Sequence, residues 1–193
     1  MPSNVVLPPV WILGSSRATA SLAASLGTGY SFASHFSSTS PLPALRTYRQ
    51  TFQPSAQFPQ PHVILGAAVM CAETDEEAEY LALPMDLVWV RLHRGEFGPI
   101  PSPEEALAYP YTDQDRAVIA SRRALQVVGS PATVRLRLTA LAEETGADEI
   151  MIATTTYNAN DRLRSYELVA EAFAPDSSRL LLRPPSTTIA AHS

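Results

Sequence analysis

Short apolar runs alternate with amphipathic segments along most of this chain, and that alternation limits the folds open to it. Val10–Leu13 (VWIL) stops at Gly14, and Leu22, Ala23 and Leu26 follow at helical spacing before Gly27. Tyr30–Ala33 reads as a second strand, and Ala44–Phe52 as a helix closed by Pro54. His62–Met70 (HVILGAAVM) is the clearest strand, and Thr74 with Glu77 has the spacing of a capping box for the helix after it. Residues 93–112 are rich in Pro and Gly and read as a loop, 113–124 as a helix, and Val127 and Val128 as extended. Ser130-Pro131 starts a further helix, with Val134, Leu138, Leu141, Ala142 and Thr145 on one face and Gly146 at its end. Asp148–Thr154 is a strand, and Leu163, Tyr166, Val169, Ala170 and Phe173 mark a last helix stopped by Pro175. Strands joined through helices pair in parallel. The pattern therefore predicts an α/β domain with four strand–helix units, at 10–27, 30–54, 62–92 and 148–174, and an excursion over about 93–126. Residues 1–9 read as an N-terminal extension and 175–193 as a mobile tail.

With 193 residues, 46% of them apolar, the chain can bury a sizeable core. A complete (β/α)8 barrel takes about 250 residues, so the pattern leaves an open sheet or half of a barrel. All 14 basic residues are Arg, and the first acidic residue is Glu73. Residues 1–72 thus carry three Arg (Arg17, Arg46, Arg49) and no carboxylate, whereas the remainder sets 11 Arg against 19 acids. Three scattered Arg do not make the basic face of a nucleic-acid binder. The early positive bias suits a pocket for an anionic cofactor, or has no role. Cys71 is alone, so an internal disulfide is excluded, and a reducing cytoplasm is the expected compartment. No run approaches the ~20 apolar residues of a membrane span, so no membrane partner is expected.

Three stretches in order carry a family resemblance: VWILGSSRATASLAASLG at 10–27, YSFASHFSS at 30–38 with ALRTYRQTFQPS at 44–55, and the run from Val127 to Phe173. The segment ETDEEAEYLA, around Thr74, adds a fourth. Together they resemble the C-terminal half of the bacterial luciferase-like, flavin-dependent monooxygenases. The resemblance implies part of a (β/α)8 barrel, with the matched segments as its last four strands and the N-terminal half missing. It also implies O2 activation by a reduced flavin, FMN or the deazaflavin F420, acting on a small organic substrate. A partner chain carrying the N-terminal half, a second copy of this chain and a flavin reductase are the expected partners. The alternative is a non-catalytic subunit or remnant that dimerises through its open half-barrel.

Two places could carry chemistry. The strand Val10–Leu13 runs through Gly14, Ser15 and Ser16 into a helix, and the first N–H groups of a helix favour an anion. Thr19 lies one turn on, and Arg17 is the local cation. In the resembling family this junction contacts the flavin phosphate, which makes Gly14, Ser15, Ser16 and Thr19 the cofactor-binding expectation. A Ser N-cap without a ligand, or Ser16 as the nucleophile of a G-x-S-x-A elbow, are the rival readings. His35, just after the second strand, would point into a barrel mouth, where it could assist oxygen chemistry or shuttle a proton. Thr154–Thr156 and Cys71 end strands and could line the same mouth. Trp11 and Trp89 read as core, His62 as lying at the opposite end, and no metal-ligand spacing is present.

Overall fold

The computed structural model describes residues 8–37 and 39–174. The tail and most of the N-terminal extension lie outside those residues. Five parallel strands form one sheet: β1 (Trp11–Gly14), β2 (Gly29–Ala33), β3 (Val63–Cys71), β4 (Gln126–Gly129) and β5 (Glu149–Ala153). Between and after them run α1 (Arg17–Leu26), α2 (Leu42–Thr51), α3 (Asp75–His93), α4 (Pro103–Ala108), α5 (Asp113–Arg123), α6 (Pro131–Thr145) and α7 (Ala159–Phe173).

The fold is the α/β class read from the pattern, with two corrections. The expected count of four strand–helix units becomes five, because Val127 and Val128 belong to β4, which is followed by α6. At four residues β4 is too short to announce itself; its strand character comes from pairing Gln126–Gly129 with Ala68–Cys71 of β3. The expected loop at 93–112 contains α4, capped by Ser102 Oγ on the Glu105 N–H and started by Pro103.

β3 organises the sheet. Its residues 63–66 pair with β2 and 64–68 with β5. Alternation then sends odd and even residues to opposite faces. Val63 and Leu65 pack with Ala20, Ala23 and Ala24 of α1 and Leu45 and Tyr48 of α2. Ala67, Val69 and Cys71 pack with Val134 and Leu138 of α6 and Leu168 and Val169 of α7. Even-numbered Met70 and Ala72 instead meet Ala78 and Ala82 of α3. So α3 lies across the other face, over the C-terminal half of β3 and β4. Trp11 packs edge-on to Phe58 (5.3 Å) and His62 (5.2 Å) but is half-buried at the sheet's edge, not the core residue expected.

The buried face of α7 is rotated from the expected one. Ser165, Leu168 and Val169 are buried, while Leu163, Tyr166 and Phe173 stay exposed. The reason is polar: Ser165 Oγ accepts the buried N–H of Cys71 at 2.9 Å, which draws that side of the helix inward.

Candidate functional site

Parallel pairing brings the C-terminal ends of all five strands to one edge of the sheet. Gly14, Ala33, Cys71, Gly129 and Ala153 close their strands there. Two sets of side chains at this edge have site character.

The first is the β1–α1 junction. Ser16 is the N-cap, with extended backbone (φ −136°, ψ 162°). Its Oγ accepts the Thr19 N–H, and Thr19 Oγ1 accepts the Ser16 N–H, both at 3.3 Å. Thr19 Oγ1 also donates to the Ser16 carbonyl at 2.9 Å, and the Tyr30 hydroxyl donates to the same carbonyl at 3.2 Å. The hydroxyls of Ser16 and Thr19 are thus already engaged with the cap, and among the described residues Ser16 bonds to no histidine or carboxylate as an elbow nucleophile would. Gly14 has a packing reason, because a Cβ there would stand 2.6 Å from Thr19 Cβ. The cap uses the N–H groups of Ser16 and Thr19, which leaves those of Arg17 and Ala18 as the free first-turn donors. No acid occupies the first turn of α1, and Ser15, Ser16 and Arg17 are exposed.

The second set surrounds His35. Its backbone N–H donates to the Gly66 carbonyl at 3.1 Å, which ties the end of β2 to β3. The imidazole lies against the bare backbone of Gly66: a Cβ there would come within 2.6 Å of His35 Nδ1. Phe36 packs on the ring, centroids 4.1 Å apart. Nδ1 is buried and has no hydrogen-bond partner among the described residues. The ring forms part of the wall of a cavity of about 350 Å³. Ala68 and Met70 of β3, Ala82, Met85, Trp89 and Leu92 of α3, Gln126 and Val128 of β4, and Ala153 and Thr155 complete most of that wall. Among the described residues no carboxylate or guanidinium lines it. It is an apolar chamber with one imidazole and a few neutral polar groups.

The expected site residues therefore divide. His35 and Thr155 reach the chamber, whereas Gly14, Ser15, Ser16 and Thr19 do not line it. Cys71 does not either: its odd position turns it under α6 and α7, where burial pushes the thiol up to about 11. Thr156 turns to its own loop, with Oγ1 donating to the Asn158 carbonyl at 2.6 Å. His62 stands at the far end, 2.8 Å from Glu149. Sequence reasoning missed Met85, Gln126 and Gly66 and took Trp89 for core. Only Gly66 left a signal, since a glycine inside a β-branched strand marks a close approach.

With this geometry in place, similarity to known proteins identifies the class. The luciferase-like monooxygenase family model matches residues 1–149, and the chain belongs to that family. The Bacillus subtilis protein YceB is 40% identical over 166 residues, 86% of this chain and 50% of its own. An Escherichia coli K12 luciferase-like monooxygenase is 36% identical over 163 residues, 84% of this chain and 49% of its own. The crystal structure of apo-MsnO8 superposes with a TM-score of 0.79 at 36% identity, covering 89% of this chain and 52% of MsnO8. This chain spans about half the length of the curated relatives it matches. Two more distant structures share the fold alone. They are the FMN-bound oxygenating constituent of a Pseudomonas putida 3,6-diketocamphane monooxygenase (TM-score 0.55, 20% identity) and the F420-dependent tetrahydromethanopterin reductase of Methanopyrus kandleri (0.54, 12%). The parallel α/β arrangement is consistent with part of the family's barrel. Among the described residues no helix is long and apolar enough to cross a membrane.

Proposed function

We propose that this chain supplies the flavin-binding side of a luciferase-like monooxygenase acting on a small organic substrate. The observation that carries the reading is the apolar chamber of about 350 Å³ at the C-terminal strand ends, with His35 in its wall. Barrel enzymes carry their chemistry at that end. The residues present fit a flavin. An apolar wall suits the ring, and a helix start with two free N–H groups and no acid suits the phosphate.

Reduced flavin, as FMN or F420, supplies the electrons for O2 chemistry when bound. The N–H groups of Arg17 and Ala18, with Ser15 and Ser16 beside them, hold the phosphate. Met70, Met85 and Val128 exclude water from the ring. His35 holds or moves a proton at the chamber wall. Thr19 acts by fixing the cap. The reduced cofactor comes from a flavin reductase in the cytoplasm. The open strand edges of the sheet are completed by a chain carrying the N-terminal half of the barrel, or by a second copy.

A titration of the chain with FMN and with F420, each oxidised and reduced, tests this when joined to a mass measurement in solution. Saturable binding of one cofactor, weakened at least tenfold by Arg17→Glu and less by Ser16→Ala, is the expected result. No binding of either, with or without an N-terminal-half chain, overturns it. The second reading, a non-catalytic subunit that dimerises, draws on the mutually engaged hydroxyls of Ser16 and Thr19 and on Leu13 of β1 and Met151 of β5, 64% and 59% exposed on strands that each pair with one neighbour. It predicts a dimer that binds no flavin.

A further inference from the structure

A second, much smaller cavity touches the same imidazole. It measures about 10 Å³, the room of one water molecule. Ser34, His35, Ser37, Trp89, Arg122 and Gln126 form most of its wall. Two of them bring a buried nitrogen with no partner among the described residues, His35 Nδ1 and Trp89 Nε1. Each would be costly to leave unpaired. Both residues help to line one water-sized cavity, and a single water there would partner both nitrogens.

We propose that a single buried water bridges Trp89 Nε1 to His35 Nδ1, which makes Trp89 the positioning residue that sets the tautomer of His35. The indole N–H can only donate, and so can the guanidinium of Arg122. A water between them spends its lone pairs on those donors and turns its hydrogens the other way. His35 Nδ1 then accepts, and the ring proton sits on Nε2, the nitrogen left for the larger chamber. Arg122 holds the arrangement together. Its guanidinium lies over the Trp89 ring, 4.1 Å from the centroid, and its Nη1 donates to the carbonyls of Phe36 (3.4 Å) and Ser37 (3.3 Å). So α5 clamps the indole to the very turn that carries the histidine. The inference deepens the flavin reading, on which it rests only for what His35 does next: it specifies the form in which the imidazole meets whatever enters the chamber, a donor at Nε2.

The test uses the whole chain, ¹⁵N-labelled, without flavin, at about pH 8.5, some two units above the ordinary imidazole value. Two-bond ¹H–¹⁵N spectra of the histidine rings read the tautomer directly. His35 is expected as the Nε2–H form alone, with cross-relaxation between the Trp89 indole proton and a long-lived water. Trp89→Phe keeps an aromatic ring under Arg122 but removes the donor. It should turn the single His35 form into a mixture approaching that of free imidazole, leaving the patterns of His62 and His93 unchanged. An Nδ1–H form in the parent chain, an indole proton without a bound water, or a His35 spectrum indifferent to Trp89→Phe would each overturn the proposal. If the variant does not fold, the two measurements on the parent chain decide alone. Because no flavin enters the experiment, its failure is distinct from failure of the cofactor titration.

Discussion

Gly66→Ala isolates the seat of the imidazole. The added Cβ would stand 2.6 Å from His35 Nδ1, 2.9 Å from Cε1 and 3.4 Å from the Phe32 carbonyl. The first two are far inside the ~3.5 Å at which such atoms rest. Gly66 is not among the glycines with positive φ, so alanine fits the backbone and the cost comes from the ring. Overpacking of this kind costs about 1–3 kcal/mol. Against it stands a gain of about 0.4–1 kcal/mol from stiffening the unfolded chain. The expected net loss is therefore about 1 kcal/mol, with the histidine ring driven from its place. In a His35→Ala background the obstacle is gone and only the gain persists, so the same substitution should stabilise. Urea unfolding of the four proteins gives the coupling directly, expected at about 1–3 kcal/mol. If Gly66→Ala costs the same in both backgrounds, the imidazole does not rest on Gly66 and the chamber wall is misassigned.

Three further substitutions probe the supports of the site. Ser165→Ala strips the buried Cys71 N–H of its only acceptor among the described residues and should cost about 1–3 kcal/mol in urea unfolding; a change under ~0.5 kcal/mol would mean the N–H finds another partner. Asp115 is held below the usual carboxylate range by the N–H and hydroxyl of Thr112, and next by Arg94. Its stabilising contribution is complete above the unfolded value near 3.9 and is lost as pH falls through the lower folded value. Asp115→Asn should therefore flatten the acid limb of a Tm-against-pH curve below about pH 4, and an unchanged slope counts against these bonds to the carboxylate. Arg123→Leu removes the bidentate partner (2.8 and 2.9 Å) of Asp86, whose carboxyl burial already raises against the pull of that Arg. The loss should reach about 3–5 kcal/mol near neutral pH. It should shrink as pH falls through the raised value and the carboxyl becomes neutral, so a loss that grows in acid would refute the assignment.

The parts of the fold legible in the sequence are those governed by local chemistry. The Ser16, Thr74 and Ser130 caps and the glycines closing α1 and α6 stand where their residue types require. What escaped was set by distant neighbours. β4 is a strand because β3 offers it an edge, and α7 turns Ser165 inward because a backbone N–H 94 residues earlier needs an acceptor. Cys71 looked like a mouth residue at a strand end, yet the parity of β3 sends it under α6 and α7. The chamber is harder still. Its wall is assembled from the turn after β2 and from β3, α3, β4 and the end of β5, so no single window of sequence contains it. His35 could be named because it follows a strand; Trp89 could not be joined to it, since only tertiary packing brings α3 over the even-numbered face.

The division of the expected site into two places has a physical logic on the flavin reading. A phosphate is costly to bury and gains most at an exposed, acid-free helix start. The ring chemistry needs the opposite, an apolar chamber that keeps water out. One cofactor can satisfy both only if the two places are close along the rim, and the register makes them so. Gly14 lies opposite Phe32 on the neighbouring strand, at a spacing of about 4.8 Å, and His35 follows three residues beyond Phe32. The two halves of the site should then be separable by substitution. Arg17→Glu should weaken cofactor affinity while leaving the His35 tautomer untouched, and Trp89→Phe should change the tautomer in the flavin-free chain. If Arg17→Glu moved both readouts together, the β1–α1 cap and the chamber would be one structural unit.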